Sequence, residues 1–124
     1  NIPENSVCYT GTHDNDTVAG YAEGLDAEEL LLFRSRLAQV LQEQKKYIRL
    51  GRRPEDIAEA MCKLALSTRA KLTILPVQDV LGLGNDARMN HPSTREGNWQ
   101  FRMERRFAGG AVRRLKHWIK LYRR

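Results

Sequence analysis

The first apolar run of the chain, Ser6-Val7-Cys8-Tyr9, is short, β-branched and aromatic, which predicts a buried strand. A polar octet overlaps and follows it, Tyr9-Thr10-Gly11-Thr12-His13-Asp14-Asn15-Asp16. Thr17-Val18-Ala19-Gly20-Tyr21-Ala22 can then begin a helix behind an Asn or Asp cap. From Asp26 the period changes to three and four. Asp26 and Glu29 form a capping-box pair, and Leu30, Phe33, Leu37, Val40 and Leu41 recur as one inward face of a helix that fades around Lys45-Lys46-Tyr47. Gly51 marks a break. Pro54 suits a first helical position, with Glu55 and Asp56 in the first turn, and Ile57, Ala60, Met61, Leu64 and Ala65 form the next stripe, ending near Ser67. Lys71-Leu72-Thr73-Ile74-Leu75-Pro76-Val77 is nearly continuous in its apolar character, as a parallel strand covered on both faces would be; regular pairing should end near Pro76. A loop rich in Gly, Asn, Asp and Pro runs from Gln78 to about Arg102, with a short helical turn near Val80-Leu81. The last helix is expected from about Arg102 to Tyr122, with Phe107, Ala111, Leu115, Trp118, Ile119 and Tyr122 inward and Gly109-Gly110 weakening its first half.

The order strand, helices, strand, helix describes a helix-rich α/β chain of βαβα type, with room for a crossover between parallel neighbours. Two strands cannot close a barrel. At 124 residues the chain is one domain at most. No apolar run is long enough to span a bilayer. The start, Asn1-Ile2-Pro3-Glu4-Asn5, has no signal-peptide character and reads as a cut inside a longer protein. Cys8 and Cys62 sit in apolar contexts and read as buried free thiols, which suits a reducing cytoplasm, and no Cys/His spacing suggests a metal site. The net charge of +6 is unevenly placed, since residues 1–30 lack Lys and Arg while arginines crowd the segment after Trp99. Their interleaving with an apolar stripe makes them the wet face of a helix. An alternative function, a basic module binding nucleic acid or another acidic partner, rests on the same residues.

The chemistry-bearing residues cluster at the two strand ends. His13, Asp14 and Asp16 follow the first strand, and Gln78 and Asp79 follow the second. Side chains placed there can point into a cleft while the strands hold their backbone rigid. With the octet go Leu75-Pro76-Val77-Gln78-Asp79-Val80-Leu81-Gly82-Leu83-Gly84, Ala87-Arg88-Met89-Asn90 and Gly97-Asn98-Trp99-Gln100-Phe101-Arg102. In this order and spacing these stretches resemble the amylomaltases, the 4-α-glucanotransferases also called disproportionating enzymes. The resemblance spans most of the chain. It implies that residues 1–124 are the C-terminal part of a (β/α)8 catalytic barrel, corresponding to its last two strand–helix units.

The resemblance further implies a retaining transfer of α-1,4-glucan segments to glucose or maltodextrin acceptors, with no cofactor and no metal. Asp14 would stabilise the transition state by accepting from sugar hydroxyls, and His13 would donate to the same sugar. Asn90 would line the substrate cleft, and Trp99 would stack on a glucose face or close the loop as a buried side chain. Asp16 is read as a helix cap and Asp79 as structural support bonding an arginine or backbone amides. One departure stands out, Pro92-Ser93 where the family pattern has Pro-Gly. The nucleophile and acid/base carboxylates belong to other strands of such a barrel, so this stretch alone is expected to be inactive. It is also expected to associate with copies of itself through its open sheet edges and apolar face, the remainder of the barrel being its natural partner.

Overall fold

The computed structural model describes residues 2–124. Strand β1 (Val7–Tyr9) is followed by helices α1 (Val18–Glu23), α2 (Ala27–Glu43) and α3 (Pro54–Leu66), then by β2 (Leu72–Ile74), the single turn α4 (Val77–Val80) and the long helix α5 (Arg105–Tyr122). A 3-10 turn, Asn85–Ala87, interrupts the loop between α4 and α5. The two strands pair in parallel, with Val7 opposite Leu72, Cys8 opposite Thr73 and Tyr9 opposite Ile74. Lys71 N donates to Glu4 O at 2.8 Å and extends the ladder below the strands.

Local chemistry sets the helix boundaries. Asp26 accepts from Glu29 N at 2.8 Å while the Glu29 carboxylate accepts from Asp26 N at 3.0 Å, so two orphan amides of α2 are satisfied reciprocally. Pro54 opens α3 as its first residue. Asp56 accepts from the Arg53 backbone amide at 3.1 Å and from its guanidinium, and that hydrogen bonding holds the Asp56 carboxyl below the usual carboxylate range. The cap of α1 is Thr17, whose Oγ1 accepts from Gly20 N at 3.0 Å. Asp16 therefore does not cap α1, and neither does Asn15. Both are engaged elsewhere, as described below.

Helix α3 is the hub. On one side Ile57 and Ala58 pack with Val18, Ala19 and Ala22 of α1 and Leu37 and Leu41 of α2. On the other, Cys62 and Leu66 pack with Val80, Ala111 and Trp118. Tyr21 meets Phe33 edge-on at 5.5 Å between centroids, fastening α1 to α2. Burial raises the pKa of the Cys62 thiol, and the nearby Asp79 and Glu59 charges add to the effect.

Four expectations need correction. Val7 and Tyr9 of β1 and Leu72 and Ile74 of β2 are exposed, so neither strand is buried on both faces; Cys8 and Thr73, which alternate with them, are half-buried. One face of this two-stranded sheet, carrying Val7, Tyr9, Leu72 and Ile74, is exposed, and the other is half-buried. Val40 and Ile119 are exposed, because each helix buries a narrower stripe against its neighbours than the periodicity offers. Helix α2 ends at Glu43, before the Lys45-Lys46 pair. Helix α5 starts at Arg105 and then runs through Gly109-Gly110 without interruption. Among the described residues no helix is long and apolar enough to cross a membrane.

Candidate functional site

Both strands run out at the same end, and the polar loops that follow them meet there. Immediately after β1, Asn15 N donates to Thr12 O at 3.2 Å, while Asn15 Oδ1 accepts from Thr12 N at 2.7 Å. This reciprocal pair closes a tight turn with His13 and Asp14 at its two corners, the positions from which side chains project furthest. Both are exposed.

The base of the turn is anchored by Asp79, which is only 2% exposed. Its Oδ2 accepts from Thr10 Oγ1 at 2.5 Å and its Oδ1 from Val18 N at 2.9 Å. A buried carboxylate with two short donors thus ties the end of β1 to the start of α1, which is the supporting role expected of it. Asn85 adds a second tie, accepting from Thr17 N at 3.1 Å. Its amide lies so close over Gly20 that an added Cβ there would stand 2.3 Å from the Asn85 side chain. Gln78, also buried, donates to Ala87 O at 3.1 Å and folds the second loop onto β2.

The second loop returns to the turn at Arg88, Met89 and Asn90. Asn90 N donates to His13 O at 3.1 Å, and Asn90 Nδ2 donates to Asp14 Oδ1 at 2.6 Å. His13 Nε2 lies 3.4 Å from the same Oδ1. The hydrogen bonds of Asp14 to described residues all fall on Oδ1 or on its backbone, which leaves Oδ2 to accept from a bound hydroxyl. Trp99 N donates to Met89 O at 2.6 Å, and the indole tilts against the His13 ring with centroids 5.0 Å apart. Trp99 is 50% exposed in this chain. All four residues expected at a binding site are therefore neighbours.

A cleft of about 510 Å³ lies beside the turn, lined by Tyr9, His13, Asn15, Ile74, Gln78 and Arg88 among others. Asn90 and Trp99 line a second, shallower depression made by the 94–100 loop. Asp14 touches both sets through His13 and Asn90. Among the described residues no group of three His, Cys, Asp or Glu side chains converges as a metal site would require. The basic residues Arg105, Arg106, Arg113, Lys116 and Lys120 lie on the exposed side of α5, whose apolar side packs on α3 and α4.

Two residues of the loops carry a strained backbone. Ser93 has φ +67° and Trp99 φ +61°, both in the left-handed region. Glycine is the residue type that adopts this conformation without steric cost. Sequence reasoning missed Arg88, which bridges the two loops. The signal for it was charge: residues 1–30 hold no cation of their own, and Arg88 is the first arginine of the second loop.

A family model described as 4-alpha-glucanotransferase matches residues 1–107. The chain is 41% identical over 103 residues to the chloroplastic/amyloplastic 4-alpha-glucanotransferase of Solanum tuberosum, covering 83% of this chain and 16% of that protein. It is 39% identical over 104 residues to the 4-alpha-glucanotransferase of Aquifex aeolicus, covering 84% of this chain and 19% of that one. Among solved structures, the amylomaltase from Streptococcus agalactiae in complex with acarbose superposes with a TM-score of 0.78 at 31% identity, over 99% of this chain and 23% of that chain. The chain thus spans less than a quarter of the length of these relatives. On sequence and fold together, the chain belongs to the 4-alpha-glucanotransferase family.

Proposed function

We propose that this chain is the closing arc, the last two strand–helix units, of a (β/α)8 barrel that transfers α-1,4-glucan segments between maltooligosaccharide acceptors. The observation that carries this reading is the convergence of Asp14, His13, Asn90 and Trp99 at the ends of two parallel strands, where barrel enzymes hold their substrates. Asp14 accepts from hydroxyls of the glucose ring at the scissile bond through its unoccupied oxygen. His13 donates to the same ring, and Trp99 offers a half-exposed aromatic face to a sugar.

In a retaining transfer one carboxylate forms a glycosyl-enzyme intermediate and a second carboxyl acts as acid and then base, the two standing about 5 Å apart. In this reading both come from other strands of the barrel. Asp14 does no covalent work. It favours distortion of the ring toward the oxocarbenium-like transition state, in which hydrogen bonds to the sugar hydroxyls strengthen. The compartment in this reading is a reducing one, the cytoplasm, which suits the free Cys8 and Cys62.

The test is disproportionation of maltotriose. The full-length enzyme should release glucose and longer maltodextrins, and Asp14→Asn should lower kcat by about 10²–10³-fold, the scale of losing one preorganised transition-state contact. Residues 1–124 alone should produce neither product. Activity in a clean preparation of this stretch would overturn the division of labour. The isolated stretch should also self-associate through Val7, Tyr9, Leu72 and Ile74, and a compact monomer on sedimentation at high concentration would contradict that.

A further inference from the structure

We infer that Arg88 is a positioning residue that sets the geometry of the Asp14–Asn90 pair; the inference rests on the sugar-binding reading above. Three guanidinium nitrogens of Arg88 reach three different groups. Nη1 donates to Asp16 Oδ1 at 2.6 Å, Nη2 to the backbone carbonyl of Asp14 at 2.7 Å, and Nε to the backbone carbonyl of Asn90 at 2.8 Å. Its side chain is only 15% exposed, against 38% for Asp16. One rigid planar fork thus holds the backbone of both members of the pair, while the neutral amide of Asn90 meets Asp14 Oδ1 at 2.6 Å in front of it.

This arrangement answers two questions at once. It gives Asp16 a role that the Thr17 cap denies it, as the counter-charge that orients the guanidinium. It also explains how a loop 72 residues further along the chain stays in register with the turn: Asp16 and Arg88 form the ion pair between them. Lysine cannot replace this arginine, since a single ammonium on a flexible stem cannot reach both carbonyls and the carboxylate in one geometry. Arg88 lines the cleft beside the turn but acts through the pair, and its loss leaves the groups of Asp14 and Asn90 present and misplaced.

The experiment uses the full-length enzyme with maltotriose as donor and acceptor. Arg88→Lys should lower kcat by about 10²-fold, as a misplacement of about 1 Å does, with KM changed less than about threefold. Asp16→Asn, a milder and more exposed change, should lower kcat by about 3–10-fold with an unchanged melting temperature; it serves as the second reading if Arg88→Lys does not fold. The decisive comparison is a double-mutant cycle with Asp14→Ala. If Arg88 acts through the pair, Arg88→Lys should cost less than about threefold further once the Asp14 carboxylate is gone. Fully multiplicative losses, or kcat within threefold of wild type in both Arg88→Lys and Asp16→Asn, would overturn the inference. Those outcomes are separable from failure of the functional reading, which would show as a wild-type enzyme that forms no glucose from maltotriose, or an Asp14→Asn enzyme with undiminished kcat.

Discussion

Asn90 Nδ2 donates to Asp14 Oδ1 at 2.6 Å, and the two residues are brought together from loops that follow different strands. The donor is an amide, so it supports the carboxylate without neutralising it. Replacing it by a second acid reverses the interaction. Asn90→Asp puts like charges in contact, so in the full-length enzyme it should lower kcat further than Asn90→Ala, which only removes the donor. Steady-state kinetics on both variants check this.

Asp79 is buried with both oxygens committed, to the Thr10 hydroxyl and the Val18 amide. Asp79→Asn removes the charge and gives one of those donors an amide N–H to face. The expected loss of stability is about 1.5–3 kcal/mol, the range for hydrogen bonds to a charged group. Gly20→Ala attacks the same corner from the other side by driving a methyl into the Asn85 amide, at a cost of about 1–3 kcal/mol. Denaturant titrations of each variant measure these losses.

Cys62 is fully buried, and its thiol is raised chiefly by that burial. Its neutral form is therefore favoured in the folded chain. The resulting stability is fully present below the unfolded thiol value of 9.0 and is lost as pH rises past it, because the unfolded chain ionises there while the folded one does not. Alkylation at pH 8 should accordingly modify half-buried Cys8 before Cys62. Peptide mapping after a timed exposure to iodoacetamide distinguishes the two.

Ser93 holds a left-handed backbone that costs an L-residue about 1–2 kcal/mol, part of which glycine recovers. Ser93→Gly should stabilise the protein by about 0.5–1 kcal/mol once the greater chain entropy of glycine is set against it. A rise in the denaturation midpoint checks the sign.

The parts of the fold that were legible in the sequence are those fixed by neighbours within a few residues. The Asp26–Glu29 capping box and Pro54 each announce a helix start, and the structure places α2 and α3 there. Exposure was less legible. Val7, Tyr9, Leu72 and Ile74 have the composition of buried strand residues, but what covers such residues is a property of the whole assembly rather than of the strand. The site divides in the same way. His13, Asp14, Asn90 and Trp99 could be named from their motifs, and they do meet. Asp79 with Thr10, and Arg88 with Asp16, depend on pairings across some seventy positions, which periodicity does not encode.

The parallel ladder joins Val7 to Leu72, residues separated by three helices. Closing a chain loop of that span costs on the order of 4 kcal/mol of entropy before a single ladder bond forms, so the helical layer should assemble first and the strand ends meet last. Warming should undo these steps in reverse. On warming, the contact between Asp14 and Asn90 ought then to be lost while the far-ultraviolet ellipticity is nearly all kept, because α2, α3 and α5 are still wound.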